Sequence, residues 1–115
     1  MMAANDVTLL AARMSVPYGP AVPIAFRLLA YDVRRLDIAT LGQDGDVIAS
    51  AAQDVANDWM ILSPMVIQKN GSEQAQRFDV LRDELNDARM VDEYRRIAVT
   101  MQRELPRMEM VLDQT

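Results

Sequence analysis

The sequence contains no cysteine and no histidine. Those two absences exclude disulfides, thiolate nucleophiles, imidazole bases, Cys/His zinc sites and the Glu-x-x-His signature of di-iron bundles. Glycine is scarce, at positions 19, 42, 45 and 71 only, and none falls in a GxxxxGK or GxGxxG phosphate loop. Lysine is nearly absent: Lys69 stands alone beside eleven arginines. Against 17 Asp plus Glu these leave a net charge of −5, which repels phosphate backbones on average. The arginine-rich segment 72–115 alternates in sign and carries seven arginines against ten acids, so it forms no basic stripe and nucleic acid is not expected as a partner.

Long apolar runs are missing too. The longest stretch without a charge lies between Arg13 and Arg27 and contains Pro17, Pro20 and Pro23. It is shorter than the roughly 20 apolar residues of a membrane span, and its prolines interrupt any helix. The opening Met1-Met2-Ala3-Ala4-Asn5-Asp6 has no basic residue ahead of its first acid, so it does not read as a secretory signal. A cytoplasmic protein with no membrane partner is the expectation.

What is present is the balance of a folded domain: 115 residues, half of them apolar and a quarter charged. That is enough for one core and not two, so residues 1–115 read as a single helical domain. Apolar residues recur at helical rather than strand spacing. Val7, Leu10, Ala11 and Met14 predict a short first helix with Asn5 or Asp6 as its cap. Residues 15–23 hold prolines at every third position, the period of polyproline II, and predict an extended strap with Tyr18 beneath it. A second helix is expected from about Pro23 to Leu41 on Phe26, Leu29, Val33 and Leu36, stopped by Gly42-Gln43-Asp44-Gly45.

The next stripe is the most regular: Ile48, Ala51, Val55, Trp59, Leu62 and Val66, with Asp44 or Asp46 as the cap and Ala52 and Ala56 allowing close approach. Ser63-Pro64 predicts a kink, or a new segment running to about Gln68. Asn70-Gly71-Ser72 predicts a turn, with Ser72 capping the next helix. From Ser72 to Leu105 there is neither proline nor glycine, and Phe78, Leu81, Leu85, Ala88, Val91, Tyr94, Ile97, Met101 and Leu105 keep one phase. The expectation is one long helix over 72–105, continuous or gently bent, with a break at Asn86-Asp87 as the alternative. Pairs such as Asp79–Arg82, Arg89–Glu93 and Asp92–Arg96 are spaced to support it, and Pro106 should end it before a short terminal segment through Met108, Val111 and Leu112. The fold class is therefore all-α, a bundle of four or five helices with a long C-terminal helix.

Chemistry-bearing patterns are few. Asp83-Glu84 and Asp92-Glu93 are the only adjacent acid pairs, and both fall on the charged side of the long helix, as solvated residues would. With Gly45 at the glycine position of a calcium loop, the ligand positions fall on Thr40, Gly42, Asp44 and Ala51, which supply one carboxylate and exclude the EF-hand. Asn70-Gly71-Ser72 also fits a glycosylation acceptor, and the proline strap a groove ligand, but the turn and the strap account for the same residues. No catalytic, cofactor or metal residue is assigned.

Nine methionines in 115 residues are the positive feature. Methionine fills irregular core gaps and also suits adaptable contact surfaces. A helix of 34 residues would be about 50 Å long and would carry its stripe beyond a small bundle. On that basis Tyr94, Met101, Leu105, Met108 and Leu112 are the candidate partner-binding face, with glutamate at Met101 and Met108 expected to abolish association and spare helicity. The leading function is a non-enzymatic protein–protein interaction module: an adaptor, chaperone or small inhibitor forming a homodimer or hetero-complex. The alternatives are a structural subunit of a larger assembly, such as a phage particle or secretion machine, and an enzyme built on carboxylates.

Overall fold

Why this chain folds where it does is clearest at the ends of its helices. The computed structural model describes residues 22–113, and among them are four helices and no strand. Helix α1 spans Ile24–Gly42, α2 Gly45–Gln68, α3 Ser72–Asp87 and α4 Val91–Leu112. The helix expected over 7–14 and the strap residues 15–21 lie outside the described residues. Val22, at the strap's end, is buried, and Pro23 is extended (φ −68°, ψ 155°) as the N-cap of α1.

The α1–α2 turn is made differently from what its glycines suggest. Gln43, not Gly42 or Gly45, takes the left-handed conformation (φ 58°), and its N–H closes α1 on the Ala39 carbonyl at 3.2 Å. Asp44 then caps α2 as expected, accepting from the N–H of Asp46 at 3.0 Å and of Val47 at 3.4 Å. Pro64 neither breaks α2 nor starts a new segment. It sits exposed within the helix, and the buried Leu62 and Val66 on either side hold the helix together across it.

At the next turn Asn70 is left-handed (φ 66°) and Gly71 is the N-cap, so Ser72 opens α3 rather than capping it. Gly71 is required for space: a Cβ there would lie 2.6 Å from Val66 Cγ1 and 2.9 Å from Val111 Cγ1. That contact brings the end of α4 against the end of α2.

The continuous helix over 72–105 does not form, and the break comes where the alternative placed it, at Asn86-Asp87. The chain leaves α3 after Asp87, passes through an extended Ala88 (ψ 142°), and re-enters a helix at Val91. Glu93 holds the break: its Oε1 accepts from the N–H of Arg89 at 2.8 Å and of Met90 at 2.9 Å. Those two backbone bonds hold the Glu93 carboxyl below its ordinary value. The Tyr94 hydroxyl donates to the Ala88 carbonyl at 3.1 Å. The physical reason for folding back is burial. A rod of about 50 Å would leave half of its stripe uncovered, whereas the hairpin fits within a body of 41 × 33 × 19 Å and covers both halves. Pro106 likewise fails to end the helix, because it faces solvent while Leu105, Met108 and Leu112 are buried around it.

The four helices close a bundle in which α1 packs on α2 and α4, and α3 packs on α4 and α2. Its centre is Trp59 against Phe78, with ring centroids 4.7 Å apart, and the indole Nε1 donates to Asp79 Oδ1 at 2.7 Å. Asp79 therefore serves Trp59 and not Arg82, which reaches Asp83 instead. Arg95 ties α4 to the end of α1, donating from Nη2 to the Thr40 carbonyl at 3.0 Å. No helix among the described residues is long and apolar enough to cross a membrane.

Candidate functional site

The residues expected to meet a partner lie inside the bundle. Met101 and Met108 are fully buried, Leu105 and Leu112 nearly so, and Tyr94 is half-buried with its hydroxyl bonded to the α3–α4 turn. The structure does bring the five onto one side of α4, but that side is turned inward. The reversal at 88–90 is the cause, since it supplies the cover that a single projecting helix would lack. Glutamates at Met101 and Met108 would place charges in the core and unfold the chain rather than release a partner.

Exposed apolar surface gathers on α2 instead. Met60 is 66 % exposed, Ile61 60 % and Ile67 50 %, with Pro64 and Met65 exposed between them. Met60, Pro64 and Ile67 step by 4 and 3, so they share one side of the helix, opposite the buried Trp59, Leu62 and Val66. Further back, Ala49, Gln53 and Asn57 extend the same side and are also exposed. From Ala49 to Ile67 this outer side carries no ionisable group, in a chain one quarter of whose residues are charged. The signal was present in the sequence: no charged residue occurs between Asp58 and Lys69.

A second feature lies where α1 crosses α2. Arg35 pairs with Asp54 through Nη2 and with Asp32 through Nε, the latter at 3.5 Å. Asp58 joins the two aspartates, and its Oδ2 is buried without a hydrogen-bond partner. Burial first, then a side-chain hydrogen bond to Asp32 and the charges of Asp32 and Asp54, push the Asp58 carboxyl up to about 8, against the opposing pull of Arg35. Asp58 therefore holds a proton at neutral pH, and that proton, given to Asp32, supplies the partner its oxygen lacks. Chemically, such a group is an acid poised near neutrality. Sequence reasoning singled out neither Asp32 nor Asp58, because the two stand on different helices and meet only where those helices cross.

The adjacent acid pairs do not converge on anything. Asp83, Glu84 and Asp92 are exposed, and Glu93 is occupied with the turn. Among the described residues no group of three acids is arranged to hold a metal ion. Neither a family model, nor a curated protein, nor a solved structure matches this chain.

Proposed function

We propose that this chain is a non-enzymatic protein–protein interaction module of the cytoplasm, an adaptor, chaperone or small inhibitor, and that the outer side of α2 is its contact surface. The observation that supports this reading is the exposed, uncharged run of Met60, Ile61, Pro64, Met65 and Ile67. Single exposed apolar residues are ordinary on monomers, but a contiguous group on one helix marks a place where another surface is received. Two of its members are methionines, whose flexible, polarizable side chains accommodate a partner helix well. A structural subunit would use the same face repeatedly, and would differ by assembling into large closed or open arrays.

The test is to capture partners on immobilised wild-type chain and on a Met60→Glu/Ile67→Glu variant. Both positions are solvent-exposed, so the variant keeps its far-UV helicity. The reading requires that a stoichiometric companion, whether a different protein or the chain itself, be held by the wild type and lost by the variant. Equal capture by both proteins would sink it. The carboxylate-based enzyme draws on Asp58 alone, and an activity lost in Asp58→Asn but intact in the α2 variant would favour it.

A further inference from the structure

We infer that Met60 and Met65 are modification sites at which a small peroxide turns the apolar side of α2 polar and so releases what that side holds. The inference rests on the reading of that side as a contact surface and adds its regulation. It begins from an absence. Without cysteine the chain has no thiol to intercept a two-electron oxidant, and its one tryptophan is fully buried. The methionine thioether is then the side chain that such an oxidant meets.

The fold sorts the methionines by access. Met101 and Met108 are enclosed in the core, so their sulfurs meet solvent only when the bundle opens. Met60, Met65, Met90 and Met110 are exposed. Of these four, two stand among charges. Met90 adjoins Arg89 and donates its N–H to the Glu93 carboxylate at 2.9 Å, while Met110 has Arg107 and Asp113 three residues to either side. An oxygen added there joins surroundings that are already hydrated. Met60 and Met65 instead lie in the uncharged stretch between Asp58 and Lys69, beside Ile61, Pro64 and Ile67. Among the described methionines, these are the two whose oxidation changes the character of the surface around them.

The step needs no catalyst within the chain. A sulfur lone pair attacks one oxygen of the peroxide, and an S–O bond forms as the O–O bond breaks. The departing hydroxide takes the remaining proton and leaves as water, the sulfur having lost the two electrons that the peroxide gains. The product is an acceptor with no hydrogen to donate, and its neighbours suit it to water. Pro64 already leaves the Met60 carbonyl without its helical donor, so a sulfoxide on Met60 sets a second acceptor beside the first. Asn57, one turn earlier, accepts from Gln53 Nε2 at 3.2 Å and keeps its amide hydrogens for that new oxygen. The inner side of α2 holds Trp59, Leu62 and Val66 and no sulfur, so the helix itself survives. Covering a hydrated sulfoxide with an apolar partner should cost about tenfold in affinity for each one.

The test uses the full chain and hydrogen peroxide. Peptide mass mapping over time should find Met60 oxidised before Met65, in the order of their exposures (66 % and 38 %), with Met101 and Met108 roughly a hundredfold slower. Far-UV helicity should not change at that stage. On a hydrophobic-interaction column the oxidised chain should elute earlier than the untreated one, whereas peroxide should not move a Met60→Leu/Met65→Leu chain. Methionine sulfoxide reductases with a dithiol, which becomes a disulfide as the oxygen leaves as water, should restore the original elution. Oxidation of Met101 at the rate of Met60 overturns the assignment, as does an equal shift in the leucine variant or a shift that the reductases do not reverse.

A companion held by the wild type should be weakened about a hundredfold when both sulfurs are oxidised. The affinity of the leucine variant, whatever its starting level, should not fall on oxidation. If Met60→Glu/Ile67→Glu releases the companion and oxidation does not, the contact surface stands and its regulation falls. If neither releases one, the contact surface falls and takes the switch with it.

Discussion

Replacing Asp58 by asparagine should stabilise the protein, and increasingly so as the pH rises. In the folded chain the Asp58 carboxyl titrates near 8, and in the unfolded chain at its ordinary value of 3.8. Between those two values the folded state holds a proton that the unfolded state has released. Stability therefore falls as pH rises through this window, being fully present below the unfolded value and lost above the folded one. At about 1.4 kcal/mol per pH unit the whole interval would amount to ~6 kcal/mol. The cluster is only half-buried, and water reaching Asp32 and Asp54 screens most of that, leaving about 2 kcal/mol.

Asparagine has the same shape, keeps a donor for Asp32 and has no charge to desolvate. Its advantage over the wild type should be close to zero near pH 4 and reach about 2 kcal/mol by about pH 8.5. For a domain of this size that is a difference in Tm of about 8 °C at the alkaline end. Thermal or urea melts of both proteins, followed by far-UV CD at intervals from about pH 4 to 9, measure the gap directly. Glu93 contributes with the opposite sign, its stabilisation being lost as pH falls through its lowered value, but it is shared by both proteins and cancels in the difference. A gap that is constant across the range, or that narrows as pH rises, would refute the reasoning.

Three other substitutions bear on stability alone. Asp79→Ala removes the acceptor of a fully buried indole N–H and should cost about 1–3 kcal/mol, with a change in Trp59 fluorescence that locates the loss. Pro106→Ala restores a helical N–H on the exposed side of α4 and should raise stability by about 1–3 kcal/mol in chemical denaturation, with no change in the burial of Met108. Gln43→Gly relieves the left-handed conformation that ends α1 and should add about 1 kcal/mol, where a loss would mean that Gln43 makes a contact worth more than its strain.

Much of the architecture was legible because local spacing and burial agreed. The stripes of α1 and α2 are the residues that the core contains, and Asp44 caps where an aspartate ahead of an apolar run should. The break after α3 was legible only as an alternative at Asn86-Asp87, because the periodicity runs through it without a change of phase. What decides it is a set of contacts that no window of sequence displays: Glu93 reaching back to two amides, Tyr94 to Ala88, and Arg95 to Thr40 on another helix. Preferring the unbroken helix also misplaced the candidate face. Met101 and Met108 have the spacing of a surface stripe only if nothing covers them. The Asp32–Asp54–Asp58 group was hidden for a related reason, since its members come from two helices and acquire their chemistry only where those helices meet.

The two prolines within helices show how surroundings decide what the same local defect does. Each removes one N–H from the ladder and frees the carbonyl four residues earlier, and each faces outward. Around Pro106 the outer side bears the exposed Arg103 and Arg107 (Met110 is exposed nearby, but singly), so the carbonyl that the proline frees at Gln102 lies on a charged, solvent-facing side of the helix. Around Pro64 the neighbours are Met60, Ile61 and Ile67, which order no water of their own. A helix that merely tolerated a proline would surround it as α4 does. The defect in α2 lies on an apolar surface, where a donor from another molecule gains both the vacant carbonyl and the burial of the side chains beside it. For that reason we propose α2 as the contact surface, and not the methionine-rich end of α4 that the bare spacing favoured.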